Sequence, residues 1–257
     1  MRSGTLIFPL VLVLSACSVL ERRDACPCIL GLCFEGAAQK SIEIMILDGG
    51  EVVLRDSLCD PTAETGYREY EVPRSLLRLV SYCGSGSLRP DTEGRIVLPE
   101  GEEMVPLHLG TVILDTRRET ITDTVCLHKE YVNIQLLLKN MPEHDHPFSL
   151  SVRGNSCGID LVETVPVSGD FLFSPRPDSG RYYLVRVPRQ GDDSLVLTVD
   201  FGSGKMEEYP IGKWILDAGY DWHRPELDDI MIEFNYFSMQ VEISIDGWDT
   251  VISDWKI

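Results

Sequence analysis

IEIMILDGGEVV, residues 42–53, holds the pattern from which the fold is read. Side chains alternate from Ile42 through Ile44 and Ile46, the two-residue period of a strand that presents opposite faces in turn. The run ends in Asp48-Gly49-Gly50. Asp-Gly and Gly-Gly pairs supply the positive φ angles that a two-residue hairpin turn requires. Glu51-Val52-Val53-Leu54 is then the returning strand.

The same pattern recurs along the chain. Residues 67–80, YREYEVPRSLLRLV, alternate until Pro73 breaks the run. Further strands are expected over 95–99, 104–110, 132–138, 148–154, 182–187, 195–201, 205–209, 230–236 and 239–245. Only residues 74–82 and 213–219 carry a short 3.6-residue period and stand as helix candidates. Short strands punctuated about every ten residues by Gly, Pro and Asp define an all-β chain of sandwich type. DTRRETITDT, residues 115–124, is dense in charge and poor in large apolar residues, and is read as a boundary. It separates an N-terminal β-sandwich, 26–120, from a C-terminal β-sandwich, 121–257. A faint echo between 42–53 and 241–252, both alternating into Asp-Gly, fits a duplication.

Ahead of the strands lies LVLSACSVLE, residues 12–21. The apolar run over residues 6–16 contains Pro9 and is shorter than the roughly 20 residues that cross a bilayer. Arg2, a short apolar core and small residues before a cut describe a signal peptide. Leu14-Ser15-Ala16-Cys17 resembles a bacterial lipobox. The resemblance implies cleavage between Ala16 and Cys17, with lipid on the Cys17 sulfur. Residues 1–16 are then a discarded signal and 17–25 a lipidated tether. One acyl chain holds weakly, so stable anchoring takes more than one, and a mature lipoprotein of this type carries three.

The formal net charge of −18 excludes nucleic acid as a partner, because phosphate and the chain would repel. A hydrophobic share of 44% separates the chain from disordered acidic tails. Of eight cysteines, Cys17 is assigned to lipid, which leaves an odd number and at least one without an internal partner. Cys26-Pro27-Cys28 has C-x-C spacing, unlike redox or zinc motifs, and these cysteines are read as structural.

A search for chemistry returns little. Gly202-Ser203-Gly204-Lys205 has Val199 where a phosphate loop needs glycine. Cys83-Gly84-Ser85-Gly86-Ser87 lacks nucleophile-elbow spacing. His144-Asp145-His146 offers two imidazoles without a third ligand beside them and is read as a polar loop. Among 41 acidic residues no catalytic carboxylate pair can be singled out. The expectation is a non-enzymatic protein with no catalytic residues, no cofactor and no metal. All four tryptophans, Trp214, Trp222, Trp248 and Trp255, fall near the C-terminus and are read as core packing rather than a binding face.

Two stretches carry a family resemblance. One is Asp24-Ala25-Cys26-Pro27-Cys28 after the lipobox, leading through Leu30-Gly31-Leu32-Cys33-Phe34 to the strand before Asp48-Gly49-Gly50. The other runs through Tyr209-Pro210-Ile211-Gly212-Lys213-Trp214, Gly219-Tyr220-Asp221-Trp222, Leu227-Asp228-Asp229-Ile230 and Val241-Glu242-Ile243-Ser244-Ile245 to Gly247-Trp248. Together they resemble the fimbrial anchor lipoproteins of Bacteroidetes. The resemblance implies two transthyretin-like Greek-key sandwiches at the base of a fimbrium, held in the outer membrane by lipid on Cys17 and facing the cell surface. It also implies fimbrial shaft subunits (fimbrillins) as partners, joined by strand complementation. Shaft subunits of this family are cut at an arginine to free an N-terminal strand, whereas an anchor keeps it and limits growth. Arg22-Arg23 precede the first strand, so a cut there severs the lipid without opening a groove. A tip or adhesin subunit on the same fold, and a glycan-binding surface lipoprotein, are the alternatives. Asp56-Ser57-Leu58, Asp123-Thr124-Val125, Asp193-Ser194-Leu195 and Asp249-Thr250-Val251 resemble the short O-glycosylation sequon of the Bacteroidetes periplasm.

Overall fold

A computed structural model describes residues 26–35, 41–59, 67–140, 149–178, 182–200, 206–235, 240–245 and 251–254. The first part holds β1 (Cys28–Glu35), β2 (Ser41–Asp48), β3 (Glu51–Cys59), β4 (Arg68–Val72), β5 (Leu76–Cys83), β6 (Arg95–Val97), β7 (His108–Asp115), β8 (Thr120–Cys126) and β9 (His128–Lys129). The second holds β10 (Tyr131–Lys139), β11 (Ser149–Asp160), β12 (Val165–Phe173), β13 (Pro177–Asp178), β14 (Tyr182–Pro188), β15 (Val196–Asp200), β16 (Met206–Tyr209), α1 (Ile211–Asp217), β17 (Ile230–Asn235), β18 (Gln240–Ile245) and β19 (Val251–Asp254). The described residues are all-β apart from α1, which forms at the 213–219 helix candidate.

The decisive hairpin forms as read. Asp48 pairs with Glu51, and Gly49 and Gly50 take φ values of 57° and 93° between them. Both central residues therefore occupy the left-handed region that a tight primed turn demands. The other helix candidate, 74–82, is instead strand β5. Its two faces are buried in different cores, Leu77 and Leu79 in one and Val80 and Tyr82 in the other. A strand covered on both sides loses the apolar–polar alternation that identifies it.

Four sheets result. β4-β1-β8 lies over β3-β2-β5-β7-β9, and β13-β14-β10-β17-β18-β19 shares a core with β12-β11-β15-β16. Leu30, Leu32, Ile42, Ile44, Ile46, Leu77 and Leu79 fill the first core. The second takes Ile134, Leu136, Val152, Val185, Ile232 and Ile243, with Ile211 and Ile215 from α1. It also includes Met45, Leu47, Val80, Tyr82 and Leu109, so the β3-β2-β5-β7-β9 sheet is covered on both faces.

The two sheet pairs interlock. Between β5 and β7 the chain leaves the first pair, and β6 joins β11 through Val97 opposite Gly158. β8, at the expected boundary, runs parallel to β1 with Ile29 opposite Thr120 and Glu35 opposite Cys126. β7 goes on to pair with β9, where His108 lies opposite Lys129. β8 buries only Val125 fully and exposes threonines at alternate positions.

Gly110 of β7 meets the backbone of β8 so closely that an added Cβ would lie 2.4 Å from the carbonyl oxygen of Cys126. Gly110→Ala is expected to lower stability by about 1–3 kcal/mol through overpacking. The check is a reduced urea midpoint with an unchanged slope.

Candidate functional site

The joint between the sheet pairs is where charged side chains are most deeply used. Residues 128–130 link β7's sheet to β10, and each is tied to the segment 222–229 that precedes β17. Glu130 and Arg189 are buried together, with side chains 3% and 8% exposed. Arg189 Nε donates to Glu130 Oε2 at 2.6 Å and Nη2 to Oε1 at 3.2 Å. Its remaining donors reach the carbonyl oxygens of Trp222, Arg224 (3.0 Å) and Pro225 (3.5 Å). Lys129 Nζ lies 2.7 Å from Asp229 Oδ1, and His128 Nδ1 lies 3.3 Å from Glu226 Oε2.

Asp229 also accepts the backbone N–H and side-chain amide of Asn133, both at 3.0 Å. Burial pushes its carboxyl pKa up, but the bonds from Asn133 and Lys129 outweigh that and hold it below the usual carboxylate range. Beyond the joint, Arg78 Nη1 donates to the carbonyl oxygen of Val162 at 2.7 Å and to Glu163 at 2.8 Å. Thr111 and Thr164 share a hydroxyl hydrogen bond of 3.2 Å across the same seam. Thr164 sits at φ 58°, which a β-branched residue adopts only when its surroundings impose it. A cleft of about 510 Å³ opens there, lined by Thr111, Thr124, Thr164, His128, Arg189 and His223 among others.

The sequence-derived site residues lie mostly elsewhere. Ala16 and Cys17 fall outside the described residues, as do His144-Asp145-His146, Gly202–Lys205, Trp248 and Trp255. Among the described residues no group of three His, Cys, Asp or Glu is placed to hold a metal ion. The seven cysteines from Cys26 to Cys157 carry free thiols. Burial pushes the Cys83 thiol up to about 11, the reverse of an activated nucleophile. Trp222 is 2% exposed and meets Tyr220 edge-on at 4.8 Å. Trp214 packs against Tyr209 and Phe234. These two tryptophans form core, as read. The sequence reading missed Glu130, Arg189 and Asp229, because partners 59 and 96 residues apart leave no local pattern.

Solved structures share this fold. A Bacteroides thetaiotaomicron VPI-5482 protein, assigned by inference to polysaccharide binding, matches with a TM-score of 0.68 at 14% identity, over 88% of this chain and 98% of that one. The fimbrial anchor protein Mfa2 from Porphyromonas gingivalis matches with a TM-score of 0.63 at 12% identity, over 89% of this chain and 100% of that one. A fimbrial assembly protein from Parabacteroides distasonis ATCC 8503 gives a TM-score of 0.52 at 11% identity, over 88% and 98%. No family model and no curated sequence matches the chain. The structural neighbours are fimbrial and adhesin-class proteins of Bacteroidetes, and at these identities the likeness is one of fold.

Two outcomes test the joint. Glu130→Ala leaves a buried guanidinium without its carboxylate and is expected to cost about 3–5 kcal/mol in denaturant unfolding, whereas replacing Glu130 and Arg189 together by apolar residues of similar volume recovers most of it. Asp229 has a depressed folded pKa, so its contribution is present above its unfolded pKa and is lost as pH falls through the folded one. Stability of the native chain should therefore fall more steeply below about pH 4 than that of Asp229→Asn, as read by acid titration of the unfolding midpoint.

Proposed function

We propose that the chain is the lipid-anchored base subunit of a fimbrium. Lipid on Cys17 holds it in the outer membrane, and it binds shaft subunits by β-strand complementation and limits fibre growth. The observation that carries this reading is the position of β1. It lies between β4 and β8 in its own sheet, with Cys28, Leu30 and Leu32 fully buried. The groove that shaft subunits open by losing an N-terminal strand is here filled by the chain itself. A cut at Arg22-Arg23 would release the lipid and leave β1 in place.

The fold shared with the anchor protein Mfa2 supports the same reading. So does the C-terminal end, where β19 pairs with β18 as the last strand of its sheet, an arrangement that fits capping better than donation. An adhesin or tip subunit on this fold is the second reading. The polysaccharide-binding assignment of one structural neighbour favours a glycan ligand, but the packing of Trp214 and Trp222 removes two of the platforms such a site would use.

Cys17→Ala should move the protein from the membrane fraction to the soluble fraction, and retention would overturn lipid anchoring. Capture from crosslinked cells should then recover a fimbrial shaft subunit. Recovery of an outer-membrane transporter in its place would favour glycan capture.

A further inference from the structure

One end of the N-terminal sheet pair gathers features that the joint and the strand grooves do not use. Cys28 at the start of β1 pairs with Val72 at the end of β4, and Ile29 pairs with Thr120 at the start of β8. Leu76 pairs with Asp115, Asp48 with Leu77, and Asp48 with Glu51. The hairpin at 48–51, the connections 73–75 and 116–119, and the entry of the chain into β1 therefore share one pole.

Twelve large hydrophobic side chains are exposed among the described residues, and four of them, Val52, Val53, Leu76 and Ile113, lie at or next to this pole. Leu76 is 60% exposed and Ile113 62%. Ile113 is paired directly with Arg78, where the C-terminal sheet pair makes its contact through Val162 and Glu163, and Leu76 lies two residues nearer the end of the sheet. Three arginines gather here: Arg74, Arg117 and Arg118 stand among Asp48, Glu51, Glu71, Asp115 and Glu119, and Arg117 pairs with Asp115 at 2.6 Å.

We propose that this pole rests on a phospholipid surface, a proposal that depends on lipid attachment at Cys17. Residues 17–25 span at most about 30 Å when fully extended, and they join the fold at the start of β1. A tether of that length brings this pole to the bilayer before any other. Elsewhere a chain of net charge −18 is repelled by anionic headgroups. At the pole three arginines offset part of that repulsion, and aliphatic side chains gain by entering the interface. A second copy of the chain has no comparable reason to select this end.

The test is hydrogen exchange on the native lipoprotein in vesicles of phosphatidylethanolamine and phosphatidylglycerol, about 3:1, against the Cys17→Ser chain without vesicles. Residues 48–53, 73–77 and 115–119 should exchange at least about threefold more slowly on vesicles, with residues 206–217 unchanged. The double variant Leu76→Ser, Ile113→Ser should remain on the vesicles through its lipid yet lose the slowing. Equal exchange at the pole on and off vesicles overturns the proposal. So does slowing that needs no vesicles and grows with protein concentration, which marks a second copy. The mass of the N-terminal peptide reads the lipid separately, and an unmodified Cys17 overturns the anchoring and the docking together.

Discussion

A carboxylate and a guanidinium removed from water together hold this molecule in one arrangement. Ionised groups are costly to bury, and the cost is offset only when every donor and lone pair finds a partner. Arg189 meets that condition. Two donors take Glu130, and the others take carbonyl oxygens of the 222–225 segment. A lysine could not replace it, because an ammonium has three donors and no planar fork to address a carboxylate and a loop at once. Fixing that segment also fixes Asp229, and Asp229 in turn holds Lys129 and Asn133 on either side of the start of β10. An apolar substitute could fill the same space but would give the loop no direction.

Around this joint, the β3-β2-β5-β7-β9 sheet works as a shared wall. Residues of alternate parity on β2 and β5 enter different cores, so displacing either sheet pair exposes apolar surface from this wall. The excursion between β5 and β7 adds a second constraint, since β6 is hydrogen-bonded into the opposite pair. Among the described residues, force applied across this joint would be carried through backbone ladders and a buried ion pair.

Much of this was legible in the sequence. Asp48-Gly49-Gly50 specified its turn because only residues tolerant of positive φ close a hairpin in two positions. Strands with one face buried, such as β10 and β14, announced themselves by alternation. β5 did not, because both its faces are covered. β8 did not either, because its exposed face is threonine and its neighbour in the sheet is ninety residues earlier. The joint was illegible for the same reason. Glu130 follows His128-Lys129 and Arg189 precedes Gln190, and nothing near either one in the chain names its partner.

The same physics bears on how the ionisable groups of the described residues are used. An active site needs ionisable groups poised to change state in a place that substrate can enter. Here Glu130 and Arg189 spend their hydrogen-bonding capacity on one another and on a loop, and the Cys83 thiol is pushed away from ionisation. The cleft beside the joint is lined in part by groups committed to the seam, including the Thr111–Thr164 pair. Polar side chains have been used to make one surface rigid against another. What remains for partners is the outside of the sheets, the edges of strands such as β3 and β12, and the pole where the chain enters β1.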